Sequence, residues 1–125
     1  MSTLVFNPSD DICITDSTLS VVVEEKKSYY IASDFMKLLG SEENWIAKDE
    51  KFKLLDVGNH IHITTVVLPE GGYEYKITAG TWDENYGIKI QTHIYNETFV
   101  LDMKSAVTIY FNDETKSIGT FAVAV

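Results

Sequence analysis

Hydrophobic and polar residues alternate in many short stretches of this chain, with turn-forming residues between them. In the clearest stretch, Tyr73, Tyr75 and Ile77 share one face of a strand while Glu74 and Lys76 share the other. Short strands at roughly ten-residue spacing predict an all-β, immunoglobulin-like antiparallel β-sandwich. The pattern predicts strands over 2–7, 12–14, 18–23, 29–31, 52–55, 60–68, 73–79, 88–90, 97–103, 106–111 and 117–125.

One stretch has helical spacing instead. Ser33 can cap a helix N-terminus, Phe35 and Leu38 lie three residues apart on one face, and Gly40 can terminate the last turn. These features predict one short helix near residues 33–40, packed on the sandwich. It is too short to be stable alone.

Length and composition restrict the classes of protein. The 125 residues fit a single β-sandwich module over 1–125, and a hydrophobic content of 45% supports a core. The net charge is −9 and all ten basic residues are lysines, so nucleic-acid binding is not expected. Cys13 is the only cysteine, which excludes an intrachain disulfide. The chain lacks an apolar run of ~20 residues, so no membrane span is expected.

The strand over 73–79 leads into a turn that carries aromatic and polar side chains, bracketed by Gly80 and Gly87. A flat ring bordered by hydrogen-bonding groups suits a sugar, whose C–H face packs on the ring. A second ring lies in the polar loop over 41–51. The candidate carbohydrate-binding residues are Trp82, Asp83, Glu84, Asn85, Tyr86 and Trp45.

Each aromatic residue also has a structural interpretation. Trp82 and Tyr86 form either a stacking platform or part of a hairpin-stabilising motif, in which Trp82 covers the sandwich edge and Asp83 caps backbone amides. Trp45 is either a second sugar platform or a lid on the core.

Histidines and carboxylates do not form a recognisable catalytic or metal site. His60 and His62 share one strand face, but a zinc site needs at least three protein ligands, and His93 is distant in sequence. We therefore expect a solvated strand face, no metal and no cofactor. The chain has no nucleophile motif or phosphate loop, and Asp83 and Glu84 are adjacent rather than opposed across a cleft. These observations predict a non-catalytic protein.

The residues Tyr-Glu-Tyr-Lys at 73–76, followed by Trp-Asp-Glu-Asn-Tyr-Gly at 82–87, resemble a family of accessory modules in bacterial pullulanases, amylopullulanases and alpha-amylases. Segments 33–45 and 106–113 resemble the same modules more loosely. The resemblance covers roughly residues 29–120. It departs from the family pattern at the turn 79–81, which lacks the usual Asn-Gly, and at 42–44, where the usual cysteine-bearing segment is replaced.

The resemblance implies an immunoglobulin-like sandwich and an association with alpha-glucans such as starch, glycogen or pullulan. The first hypothesis is a non-catalytic carbohydrate-binding module accessory to an amylolytic enzyme or a cell-surface starch-binding protein. Its partners would be an alpha-glucan and a neighbouring catalytic domain. Such a module would be extracellular or at the cell surface, whereas a free-standing protein without a signal peptide would be cytoplasmic. The alternative is a structural spacer, docking or self-assembling sandwich without a sugar site.

Overall fold

A computed structural model describes residues 27–125, so the strands predicted over 2–7, 12–14 and 18–23 lie outside the described residues. The described part forms antiparallel sheets, which confirms the predicted all-β sandwich. A single module over 1–125 stays a prediction.

In chain order the strands are β1 (Tyr30–Ser33), β2 (Leu55–Gly58), β3 (Ile61–Leu68), β4 (Gly71–Thr78), β5 (Asn85–Tyr86), β6 (Ile88–Ile90), β7 (His93–Tyr95), β8 (Glu97–Leu101), β9 (Ser105–Asn112) and β10 (Ser117–Ala124).

Two larger sheets build the sandwich. The first has the strand order β10-β9-β3-β2, and every neighbouring pair in it is antiparallel. In the second, β4 lies at the centre with β1 on one side and both β5 and β8 on the other. Tyr75 fixes this arrangement because it is paired with Ser33 of β1 and with Glu97 of β8 at once. β6 and β7 form a separate two-stranded hairpin.

This hairpin interrupts one edge of the second sheet. The chain leaves that edge after β5, forms β6 and β7, and returns to it as β8. The exit and return points touch: a Cβ built on Gly87 would lie 2.2 Å from the backbone oxygen of Tyr95. Any side chain at residue 87 would therefore force the two points apart.

Alternate residues of facing strands form the core. Val107, Ile109 and Phe111 of β9 are buried against Tyr75 and Ile77 of β4. The predicted inward face of β4 is thus confirmed at these two positions, and Tyr73 packs half-buried beside them.

The prediction of a solvated histidine face on β3 was wrong. His62 is only 3% exposed, and it shares the inner face of β3 with Leu68. The sequence is ambiguous here because β3 carries apolar residues on both faces. Pairing with β9 decides the register, since it sets His62 opposite Phe111, whose side chain points into the core.

The two short helical segments differ in detail from the predictions. The helix expected near 33–40 is a single 3₁₀ turn, Lys37–Leu39, which Gly40 terminates at φ +107°. The strand expected over 52–55 begins late because Phe52 ends a second 3₁₀ turn, Glu50–Phe52. The remaining predicted strands have counterparts within two residues of the expected bounds, while β5 and β7 were not predicted.

Candidate carbohydrate-binding site

The turn between β4 and β5 presents Trp82 to solvent. The turn is closed by a hydrogen bond from the backbone N–H of Ala79 to the carbonyl of Glu84, at 3.0 Å. Gly80 has φ +96°, a conformation that glycine adopts without strain. Trp82 follows with 42% of its surface exposed, between exposed Thr81 and Asp83. A large apolar ring is therefore held in the open by a short, well-bonded turn.

Polar side chains stabilise this turn from within. The amide nitrogen of Asn85 donates to the carbonyl of Trp82 at 2.9 Å, and the backbone N–H of Asp83 donates to the hydroxyl of Thr81 at 3.2 Å. The amide oxygen of Asn85 is buried and has no hydrogen-bond partner among the described residues. Asn85 thus fixes the backbone that carries Trp82.

Tyr86 is half-buried and packs against the core as part of an aromatic cluster. Its ring centroid lies 5.0 Å from that of Phe111 and 6.5 Å from that of Tyr29, while the Lys116 ammonium lies 5.5 Å from its ring. Tyr29 in turn meets His62 edge to face at 4.8 Å. We call Tyr29, His62, Tyr86 and Phe111 the aromatic cluster.

Glu84 forms an ion pair that links the turn to Lys27. Its carboxylate accepts a hydrogen bond from Lys27 at 2.7 Å and another from the Tyr86 hydroxyl. The bond from Lys27, followed by that from Tyr86, lowers the pKa of Glu84. Burial, followed by the Glu84 carboxylate, raises the pKa of Tyr86. Glu84 is therefore ionised and engaged within the protein near neutral pH.

The loop that carries Trp45 lies beside the Trp82 turn. The Thr78 hydroxyl, at the end of β4, donates to the carbonyl of Ala47, and a Cβ built on Gly80 would lie 3.8 Å from the Lys48 side chain. Trp45 itself is half-buried, with φ +61° and its backbone N–H bonded to the Ser33 carbonyl at 2.9 Å. The structure thus brings the two tryptophan-bearing loops side by side, although they are far apart in sequence.

Three hydrogen-bonded side chains that the sequence analysis did not bring together, His60, His62 and Asp113, lie at the other end of the aromatic cluster. We call them the histidine clasp. The Asp113 carboxylate bonds the Nδ1 of His60 and the Nε2 of His62, each at 2.8 Å. The hydrogen bond from His62, and to a lesser extent that from His60, lowers the pKa of Asp113. Asp113 and both histidines line an open cleft of about 530 Å³ that also includes Lys27 and Asn59. The sequence predicted both strands, 60–68 and 106–111, but not that they pair. Their antiparallel pairing sets Phe111 opposite His62 and so brings Asp113 beside both histidines.

Residues 27–125 contain neither a metal-binding cluster nor a membrane-spanning helix. No group of three or more histidine, cysteine, aspartate or glutamate side chains is arranged to hold a metal ion there. No helix in that part of the chain is long and apolar enough to span a membrane.

The strand order and the short connections define a small antiparallel β-sandwich module. Residues 28–118 match the family model for the pullulanase X25 domain, and the chain belongs to this family. The predicted resemblance to accessory modules of pullulanases is thereby confirmed at the level of the family.

Curated relatives are similar to the chain in sequence, and a solved structure shares its fold. The chain is 28% identical over 115 residues to an amylopullulanase of Thermoanaerobacter thermohydrosulfuricus, and 27% identical over 116 residues to one of Thermoanaerobacterium thermosulfurigenes. Each match covers 86% of this chain but only 7% and 6% of those relatives. Pullulanase from Bacillus acidopullulyticus has the same fold at a TM-score of 0.67 and 20% identity, over 77% of this chain and 11% of that one.

Proposed function

We propose that this X25 domain binds alpha-glucans through the Trp82 turn and the adjoining Trp45 loop, without catalysing a reaction on them. The observation that carries the proposal is the exposed indole of Trp82. It is held on a turn that a backbone hydrogen bond from Ala79 to Glu84 closes. A preorganised ring binds a flat ligand without first being ordered.

The chemistry of the two loops suits a neutral sugar. An indole face packs against the C–H face of a pyranose, and each such contact is worth on the order of 1 kcal/mol beyond its burial. Asp83 is exposed at the tip and offers an acceptor to sugar hydroxyls. Glu84 and Asn85 support the turn from behind. Two rings on adjoining loops would contact successive sugars of one chain, with an affinity roughly in the millimolar to micromolar range.

The positions of the carboxylates support a non-catalytic role. Glycoside hydrolysis needs two carboxyl groups about 5–10 Å apart on either side of the bond that breaks. Glu84 is ion-paired with Lys27, and Asp83 lies on an exposed tip. The module would act by holding an attached catalytic domain near its polymer. In a polypeptide like the amylopullulanases it would be extracellular or at the cell surface.

A second function, a docking or spacer sandwich, is favoured by one specific observation. The outward face of the first sheet carries four exposed apolar or aromatic residues, Val67, Tyr110, Phe121 and Val123. The outward-facing residues of β3, β9 and β10 include no ionisable group other than Tyr110. Such a face suits contact with another protein surface.

Affinity electrophoresis separates the two functions. Migration of the parent and of Trp82→Ala would be compared in native gels with and without amylopectin or pullulan. Glucan binding predicts that the parent is retarded and that the variant runs as in the empty gel. Tyr95→Ala removes an equally exposed aromatic residue from the other hairpin and serves as the matched control.

Trp45→Ala tests the second loop in the same gels. A two-ring site predicts partial loss of retardation in this variant. If the folded parent runs identically in gels with and without glucan, the carbohydrate-binding proposal is wrong and the docking function is favoured.

A further inference from the structure

We propose that β10 pairs antiparallel with β10 of a second copy of this chain, joining two first sheets into one continuous sheet. β10 belongs to the first sheet, whereas the Trp82 turn follows β4 of the second, so edge pairing stands or falls independently of glucan binding.

Among residues 27–125, the first sheet ends in two strands that are built differently. β2, at one edge, is four residues long and its pairing with β3 is interrupted by a bulge between Asp56 and Gly58. β10, at the other edge, is eight residues long and pairs with β9 in unbroken register from Ser117 to Ala124. Short length, charge and bulges are devices that prevent sheet edges from pairing with other chains. β2 has them and β10 does not.

β10 is also uncharged. Its sequence, Ser-Ile-Gly-Thr-Phe-Ala-Val-Ala, contains no ionisable side chain, in a protein of net charge −9. Lysines and prolines, which commonly protect edge strands, are both missing from these eight residues. Because β10 offers no charge, two copies can approach along it without setting like charges opposite one another.

Both faces of this strand are accessible over its second half. Phe121 and Val123 point outward and are exposed, while Ala122 and Ala124 on the inner side are exposed as well. On that side the first half of the strand is held, since Ile118 packs against the core and Thr120 forms a hydrogen bond with the Tyr75 hydroxyl of the second sheet. The second sheet therefore leaves this edge open to an added strand.

A second copy is the occupant that the strand fits best. A two-fold axis perpendicular to the sheet near Phe121 pairs β10 with its own copy and keeps outward residues on a common face. Such a self-complementary contact is the usual way in which identical chains form a dimer. The family match ends at residue 118, so most of β10 lies beyond the matched region.

Three identical substitutions test the proposal on the full chain. Val123→Lys places a charge on the β10 edge, Val67→Lys places one in the middle of the outward face, and Val57→Lys places one on the opposite edge. All three valines are exposed, at 61%, 45% and 52%, so each variant is expected to fold. Circular dichroism checks the fold, and sedimentation over a wide concentration range measures the dimer Kd.

Edge pairing predicts that only Val123→Lys weakens the dimer, by roughly tenfold or more in Kd, because a charged lysine on an edge strand disfavours pairing with another chain. It also predicts that salt tightens the parent dimer, since the contact is uncharged and the remaining surfaces repel. Equal weakening by Val67→Lys would indicate face-to-face packing, and weakening by Val57→Lys would indicate the other edge. Either result, or a parent that stays monomeric at millimolar concentration, overturns the proposal.

Discussion

Trp82 and Tyr86 belong to the same short motif, yet the structure gives their rings opposite environments. Trp82 is exposed on a turn that only backbone and small polar groups stabilise. Tyr86 lies at the base of the same hairpin, against Phe111 and Tyr29, with its hydroxyl bonded to Glu84. The base of the hairpin therefore stabilises the fold, while the tip is free to contact a ligand.

Under the proposed function, one intact sequence motif would serve two purposes. The base fixes the hairpin to the core, and this fixed position would hold the exposed ring at the tip ready for a ligand. Substitutions at the base should lower stability, and substitutions at the tip should change binding alone.

The largest effect is expected at the base. Tyr86→Ala removes the ring that packs on Phe111 and should lower the free energy of unfolding by about 3 kcal/mol. Tyr95→Ala, at an exposed ring of the neighbouring hairpin, should change it by less than about 0.5 kcal/mol. Urea denaturation measures both. Equal values for the two variants would contradict the assignment of Tyr86 to the core.

The clasp beneath the aromatic cluster should show the next largest effect. Asp113→Ala leaves buried His62 without its partner and should lower the free energy of unfolding by about 2 kcal/mol at pH 7. Asp83→Ala, the matched change at the tip, should leave stability nearly unchanged.

The clasp also predicts a pH dependence with a definite sign. The folded pKa of Asp113 lies below its ordinary value of 3.8, because His62 and then His60 hydrogen-bond to it. Its contribution is therefore present above that ordinary value and is lost as the pH falls through the lower folded pKa. The stability difference between parent and Asp113→Ala should persist from pH 7 to about pH 5 and shrink below about pH 4. A difference that grows as the pH falls below about 4 would contradict this sign.

A smaller effect is expected at the junction of base and tip. Glu84→Gln keeps an acceptor for the Tyr86 hydroxyl but removes the charge that faces Lys27. Because Lys27 is exposed, we expect a slight fall in the thermal midpoint, which about 0.5 M NaCl should remove by screening. Glu70→Gln, in the exposed β3–β4 turn, provides the control. A large fall that salt does not alter would indicate a packing role for Glu84.

The smallest effect on stability is expected at the tip. Trp82→Ala should change the free energy of unfolding by less than about 0.5 kcal/mol, since the ring is open to solvent. Acrylamide should quench part of the tryptophan fluorescence strongly in the parent, and this component should vanish in the variant. A variant that unfolds as readily as Tyr86→Ala would remove the distinction between tip and base.

The sequence predicted the sandwich and most of its strands because alternation is regular over 73–77 of β4 and 106–111 of β9, where the inward residues are aliphatic or aromatic. It failed at β3, where Ile61 and Ile63 compete with His62 and Leu68 for the inner face. Only pairing with β9 settles that choice. The strands β5 and β7, of two and three residues, were not predicted because neither shows a clear alternation, whereas the equally short β6 was predicted from Ile88 and Ile90 on either side of Lys89.

The candidate site was predictable in part for a similar reason. Trp82 and the polar residues around it form one continuous segment, so local pattern sufficed to find them. The approach of the Trp45 loop depends on Thr78 bonding Ala47 across the fold, and the histidine clasp depends on Asp113 in a distant turn. Contacts of this kind are set by strand pairing, which a single sequence does not display.

The interruption of the second sheet by β6 and β7 has a consequence for engineering. Because β5 and β8 lie on the same edge of β4, and Gly87 touches Tyr95, the chain returns to nearly the point that it left. A loop whose ends already meet can be replaced by another sequence with little loop-closure entropy at stake. Residues 88–95 are therefore a natural position for grafting an epitope, a reporter peptide or a second binding loop into this module.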